Sequence, residues 1–143
     1  AADPTKIKER AAKWYAENKV PWRDRGRDRN GVDCIGLVIA TGRESGVDID
    51  PKDELNRRMP WGQVARYLTQ YALRVPIDEA KPGDFVYFGL TSVTMIGVLI
   101  PNSASPLGLD IVFANVNESV SVMPFDPKFN TIRGVARIKK VSD

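Results

Sequence analysis

The side chain in this sequence that is best suited to act as a nucleophile is Cys34, the one cysteine among 143 residues. It follows Asp33 in the stretch 31–36 (GVDCIG). A thiol in the first turn of a helix meets unpaired backbone N–H groups and the positive end of the helix dipole, and both favour the thiolate. The chain, however, contains no histidine to move a proton for it. A second interpretation stays open, because free cysteines are often buried and only pack.

The helix that carries this cysteine is predicted from its two ends. Asp33 is a good N-cap for a helix that begins at Cys34, and Ser45-Gly46 supplies a left-handed stop. Residues 35–40 are apolar nearly all round, which predicts a central, buried helix.

Two further helices are predicted on either side of it. The first begins at Pro4 and runs to about residue 17, and residues 18–32 behind it form a loop. The other begins at Pro60. Its predicted buried stripe is Val64, Leu68 and Ala72.

The second half of the chain is rich in β-branched and aromatic runs that predict strands. The predicted strands are 85–88, 95–100, 110–115, 119–123 and 132–139. Helices followed by strands indicate an α+β fold, with N-terminal helices packed on an antiparallel sheet of about five strands. Residues 1–143 are expected to form a single domain.

Composition narrows the class of protein. The chain is 43% hydrophobic and 27% charged, as in ordinary globular proteins. No apolar run approaches the roughly 20 residues needed to span a bilayer, and the first residues lack the apolar segment of a signal peptide. We therefore expect no membrane partner and no signal peptide, and one cysteine excludes an internal disulfide.

The distribution of charged residues does not favour nucleic acid as a partner, and the types and spacing of the acidic residues do not favour a metal ion. The net charge is +3, and the basic residues of the first thirty positions are interleaved with acidic ones without an aromatic ladder. These basic residues are explained by a solvent-exposed helix face and by a loop that arginine side chains hold in place. The carboxylates Asp48, Asp50, Asp53 and Glu54 lack histidine and regular ligand spacing, so we predict no metal site and no cofactor.

Four stretches together carry a family resemblance. Residues 21–23 (PWR) and 31–37 (GVDCIGL) resemble the nucleophile region of NlpC-type cysteine peptidases, papain-like enzymes that cut peptidoglycan stem peptides. The branch most similar is that of tailed-phage and gene-transfer-agent tails, in which a Pro-aromatic-Arg loop precedes the cysteine motif. Residues 81–88 (KPGDFVYF) resemble the Pro-Gly-Asp turn and first core strand of the family. Residues 95–98 (MIGV) fall where the family has His-x-Gly-Ile or His-x-Gly-Val.

The resemblance implies that two catalytic histidines are missing. Cys34 stands at the nucleophile position, and Met95 at that of the base histidine. The residue that would orient this base is Phe113 or, if the strand register slips by two, Asn115. Methionine cannot transfer the proton, and a positioned general acid contributes about 10²–10⁴-fold. We therefore expect that hydrolase activity has been lost.

The resemblance also implies substrate-binding roles for Trp22, Arg23 and Asp33. Trp22 would line the substrate cleft, and the alternative is that its ring covers the cysteine helix as a hydrophobic plug. Asp33 would bind a substrate amine, although helix capping explains it as well.

The function implied is that of a degenerate NlpC-like domain acting as an adaptor in the tail tip of a phage or gene-transfer agent. Its expected partners are hub and baseplate proteins, with peptidoglycan as a further ligand. Its expected location is the virion tail, after synthesis in the bacterial cytoplasm. Two alternatives stay open: an active stem-peptide peptidase using Cys34, and a basic module that binds cell wall or nucleic acid.

Overall fold

The computed structural model describes residues 4–56, 58–89, 95–128 and 131–139. Within these residues, helices occupy mainly the first half of the chain, as predicted. They are α1 (Pro4–Glu17), α2 (Cys34–Glu44) and α3 (Trp61–Leu68). A short hairpin of β1 (Arg27–Asp28) and β2 (Gly31–Val32) interrupts the predicted loop before α2. None of the described helices is long and apolar enough to cross a membrane.

The strands of the second half form one antiparallel sheet of six strands. They are β3 (Ala72–Val75), β4 (Phe85–Phe88), β5 (Met95–Pro101), β6 (Leu109–Ala114), β7 (Val120–Pro124) and β8 (Ile132–Ile138). Their order is β3-β8-β4-β5-β6-β7, so four consecutive strands form a meander and β8 returns to pair on the other side of β4. The α+β prediction, with helices packed on an antiparallel sheet, is confirmed.

The predicted third helix was too long, and one strand was missed. Helix α3 ends at Leu68, and Ala72 begins the edge strand β3, where it pairs with Ile138 of β8. Ala72 is buried because of that pairing and not because it extends a helical stripe. Pairing across 66 positions of sequence is a long-range contact that local periodicity does not contain.

The core has a layer on each face of the sheet. On one face, α2 is buried from residue 34 to residue 42 and packs against both α1 and β5. The opposite face holds a second apolar cluster that includes Val86, Leu99 and Phe125. Since β4 lies in the middle of the sheet, all four of its residues are buried. The packing of α2 against β5 holds the helix that begins at Cys34 against the sheet.

The Pro-Gly-Asp turn before β4 is fixed by an ion pair between a buried carboxylate and a partly exposed arginine. Gly83 has a positive φ of 91°, which this turn requires. Asp84 is fully buried and accepts a hydrogen bond from the Lys81 backbone N–H at 2.8 Å. Arg137 of β8 donates to both carboxylate oxygens, at 2.9 and 3.0 Å. The turn thus connects the start of β4 to β8 and sets the register of the central strands.

Candidate functional site

The start of α2 is built around the carboxylate of Asp33. This residue is 2% exposed, and its Oδ1 accepts a hydrogen bond from the Gly36 backbone N–H at 2.6 Å. Its Oδ2 accepts one from the Arg25 backbone N–H at 2.9 Å. Both oxygens are therefore used inside the protein, to cap the helix and to hold the arginine-rich loop against it. A contact with a substrate amine stays a prediction.

The loop backbone approaches α2 so closely that glycine is required. A Cβ atom on Gly36 would lie 1.8 Å from the carbonyl oxygen of Gly26. A Cβ on Gly26 would in turn lie 2.2 Å from the carbonyl oxygen of Gly31. These contacts involve backbone atoms, so no side-chain rotation can relieve them. The glycine of the cysteine motif therefore has an architectural role.

Cys34 is the first residue of α2, as predicted, and does not form a disulfide. It is 6% exposed and belongs to the apolar cluster between the helices and the sheet. The helix N-terminus favours a thiolate at this position, whereas burial among apolar side chains opposes the charge.

The two positions predicted for the missing histidines lie in an apolar corner. Met95 begins β5, is cross-strand partner to Phe88, and packs against both the cluster that contains Cys34 and the cluster on the far face. The rings of Phe88 and Phe113 make an edge contact, with centroids 6.3 Å apart. None of these three side chains can accept or release a proton.

Asn115, the alternative orienting residue, lies in the turn between β6 and β7. Its side-chain amide donates to the carboxylate of Glu118, and its backbone N–H donates to the Ser119 carbonyl at 3.0 Å. The register thus brings Phe113, and not Asn115, against the cross-strand partner of Met95. The catalytic roles implied for these positions stay predictions.

The other two predicted substrate-binding residues line the approach to α2. Trp22 is half-buried against the main core cluster, and its backbone N–H donates to the Glu118 carbonyl at 3.0 Å. Arg23 is exposed and lines a polar depression of about 520 Å³ whose wall includes arginines as well as the carboxylates of Asp24, Asp28 and Asp53. The substrate-binding roles of Trp22 and Arg23, and the alternative that Trp22 covers the cysteine helix, stay predictions.

The acidic residues after α2 secure the arginine loop. Asp50 is fully buried and pairs with Arg27 at 3.0 Å. It also accepts hydrogen bonds from the backbone N–H groups of Glu54 and Leu55 and from the hydroxyl of Tyr67. Among the described residues, no group of three His, Cys, Asp or Glu side chains is arranged to hold a metal ion.

Lys8 is a buried base that the sequence analysis missed. It is fully buried on α1, where its Nζ donates to the Val38 carbonyl at 3.1 Å and to Thr41 Oγ1 at 2.7 Å. Burial lowers the pKa of Lys8 well below its ordinary value. The helical spacing indicated this burial, because Lys8 lies one turn before Ala11 and Ala12 and therefore on the same buried face of α1.

Despite its lowered pKa, Lys8 is too far from Cys34 to serve as its base. Thr41 stands seven positions beyond Cys34 in α2, which corresponds to about 10 Å along the helix axis. Direct proton transfer requires heavy atoms about 3 Å apart. Lys8 is therefore part of the packing between α1 and α2.

Replacing Lys8 with methionine is expected to raise the free energy of unfolding at pH 7. Substituting apolar residues of similar volume for buried ionic groups often stabilises by about 1–4 kcal/mol. The pKa of Lys8 is lowered on folding, so the unfolded chain binds the proton more tightly and the wild type loses stability as the pH falls below the ordinary pKa of 10.5. The advantage of Lys8→Met should therefore shrink between pH 7 and pH 10.

Urea unfolding of the wild type and Lys8→Met at the two pH values tests this. Lys13→Met, at an exposed position of the same helix, is the matched control and should change stability by less than about 0.5 kcal/mol. A Lys8→Met variant less stable than the wild type at pH 7 would contradict the expectation.

Comparison with known proteins gives one family match. The sequence model described as NlpC/P60 family matches residues 19–127. No curated protein is significantly similar to the chain in sequence.

Several solved structures share the fold. A lipoprotein-like NLP/P60-family protein of Staphylococcus aureus superposes with a TM-score of 0.64 at 15% identity, covering 99% of this chain and 43% of that one. RipD of Mycobacterium tuberculosis, a non-catalytic NlpC/p60 domain protein adapted to peptidoglycan binding, has a TM-score of 0.60 at 14% identity and covers 99% and 100%. RipB, a peptidoglycan hydrolase of the same organism, has a TM-score of 0.63 at 22% identity and covers 96% and 66%.

Proposed function

The chain belongs to the NlpC/P60 family, and from this premise we propose that it is a non-hydrolytic member that acts as a structural adaptor in the tail tip of a phage or gene-transfer agent. The observation that carries the loss of hydrolysis is a well-formed cysteine helix in a chain without any histidine. The Asp33 cap, the close approach of Gly36 to Gly26 and the buried Cys34 maintain the architecture of the site.

Proton transfer to the leaving group, and not formation of the thiolate, is the step that this chain lacks a residue for. Amide cleavage needs a proton for the departing nitrogen, and a positioned acid contributes about 10²–10⁴-fold. The position implied for that acid is held by Met95, beside Phe88, and the neighbouring position by Phe113. Lys8, a buried amine whose pKa is lowered, lies too far along α2.

The tail-tip assignment is supported by the resemblance of residues 21–23 and 31–37 to the tail branch of these peptidases. In this proposal the domain docks on hub and baseplate proteins and resides in the virion tail. A tagged chain expressed in the producing bacterium should sediment with purified tailed particles. Its absence from those particles would overturn the tail assignment and leave the non-hydrolytic assignment untouched.

Peptidoglycan is a second candidate ligand for the same domain. RipD, which has the same fold, is described as non-catalytic and adapted to peptidoglycan binding. The exposed Arg23 and Arg25 border a polar depression that also contains Asp24, Asp28 and Asp53, and these two arginines would make the contact with an anionic polymer. A pull-down on purified sacculi at increasing salt concentration tests the idea, since binding through these arginines should weaken as charges are screened.

The wild-type chain is expected to release no fragments from sacculi or from a defined stem peptide. Without a general acid, the rate should fall by at least about 10²-fold relative to a competent relative, and RipB serves as the positive control. Chromatography of the reaction products provides the measurement.

Two variants make this experiment decisive. Cys34→Ala should behave as the wild type does, because the thiol carries no turnover in this proposal. Cleavage by the wild type that disappears in Cys34→Ala would instead establish the alternative, an active peptidase with an unrecognised base. Met95→His tests the implied position of that base, and a gain of Cys34-dependent cleavage would support it.

A further inference from the structure

A groove distant in sequence from the Cys34 motif lies between α3 and the sheet. It is formed by the last turns of α3 and by β3, β4 and β8, and encloses about 330 Å³, enough for a group the size of a single amino acid. Its apolar wall includes Ala65, Leu68 and Ala136. We call it the α3 groove.

A buried tyrosine contributes a hydroxyl to the α3 groove. Tyr87 of β4 is 5% exposed and lines the groove. No hydrogen bond joins its hydroxyl to another described residue, and since none of the buried polar side-chain atoms described is left unpaired, this hydroxyl is accessible from the groove. Burial raises the pKa of Tyr87 to about 12, and the nearby Arg74 guanidinium acts in the opposite direction. The hydroxyl therefore remains protonated near neutral pH and is available as a donor to a ligand.

Two arginines line the same groove without an acidic partner. Within the described part of the chain, neither Arg66 of α3 nor Arg74 of β3 forms an ion pair or a side-chain hydrogen bond. This contrasts with Arg27 and Arg137, each of which pairs with a buried carboxylate. The Arg74 guanidinium lies over Gly134 of β8, where a Cβ atom would come within 2.7 Å of Nη2.

We propose that the α3 groove binds a small ligand that carries one carboxylate on an apolar body. The guanidinium of Arg74 and the hydroxyl of Tyr87 hold the carboxylate, while Arg66 adds positive charge. The apolar body lies against Ala65 and Leu68. The guanidinium presents paired N–H donors whose geometry matches a carboxylate.

A carboxylate fits this groove better than a phosphate does. The wall of the groove is mainly apolar, which suits a ligand with an apolar body better than a phosphate ion. Leu68 and Thr69, at the C-terminal end of α3, also line the groove. The negative end of the helix dipole opposes the double charge of a phosphate more than the single charge of a carboxylate. This inference is independent of the proposed loss of hydrolysis, because it involves none of the residues near Cys34.

Titration of the whole chain with hexanoate, followed by proton–nitrogen correlation spectra, tests the proposal. Saturable shifts are expected at residues 72–75 and at the Arg74 side chain. Hexanamide, which has the same apolar body without charge, and inorganic phosphate should each bind at least about tenfold more weakly. Equal binding of hexanamide, stronger binding of phosphate, or the absence of saturable shifts with hexanoate would overturn it.

Variants that keep the fold locate the contact. Arg74→Gln should weaken hexanoate binding at least about tenfold, and Tyr87→Phe by about three- to tenfold. Gly134→Ala should also weaken it, because its Cβ displaces the flexible end of Arg74 without removing the charge. Arg10→Gln, at an exposed position on α1, is the control and should bind as the wild type does. Unchanged affinity in Arg74→Gln would overturn the proposal.

Discussion

Replacing Gly36 with alanine is expected to lower the free energy of unfolding by about 3 kcal/mol or more. The new Cβ would lie 1.8 Å from the Gly26 carbonyl oxygen, inside any allowed contact distance. Either the arginine loop must leave the N-terminus of α2, or the first turn of the helix must unwind. Both changes break the hydrogen bonds of Asp33 that join the two segments. Chemical denaturation measures the loss.

Gly62→Ala provides a matched control for this substitution. Gly62 lies in the first turns of α3, and no atom lies within 4 Å of its ideal Cβ position. Alanine there should stabilise the protein by about 0.5–1 kcal/mol, because glycine is the poorer helix former. Equal stability of Gly36→Ala and Gly62→Ala would contradict the close approach of the arginine loop to α2.

Arg27→Met is expected to destabilise the protein by about 3 kcal/mol, at the lower end of the range for breaking a buried ion pair. The Arg27 side chain is 11% exposed and that of Asp50 is fully buried, so the variant leaves a carboxylate in the interior without its cation. The remaining hydrogen bonds to Asp50 place the expected loss at the low end. The midpoint of urea unfolding is the measurement.

Two further variants separate the ion pair from simple loss of packing. Arg58→Met removes an exposed pair with Asp24 at 3.5 Å and should change stability by less than about 1 kcal/mol. In the double variant of Arg27→Met and Asp50→Asn, the neutral amide needs no cation, so the double variant should be more stable than Arg27→Met alone. Equal losses in the single and double variants would show that the uncompensated charge is not the cause.

The contacts between the arginine loop and the cysteine helix have structural roles. Gly36, Asp33 and the pair of Arg27 with Asp50 all hold the loop and the cysteine helix together, and each has a structural partner. The adaptor role proposed above depends on this architecture and not on a proton-transferring histidine, which the sequence lacks.

The local parts of this fold could be predicted from the sequence alone. Capping by Asp33, the glycine at position 46 and the apolar run between them located α2, and the β-branched runs located five of the six strands. The cysteine motif also indicated the family. Such signals lie within a few residues of each other, where capping and periodicity act.

Only the tertiary structure decided which distant side chains meet. It buried Lys8 under α2, paired Arg27 with Asp50 across 23 positions, and placed Phe113 against Phe88 through the strand register. It also added β3, which has little strand propensity of its own and forms by pairing with β8. Local propensity cannot specify these contacts, because the partners come together only when helices and strands pack around one core.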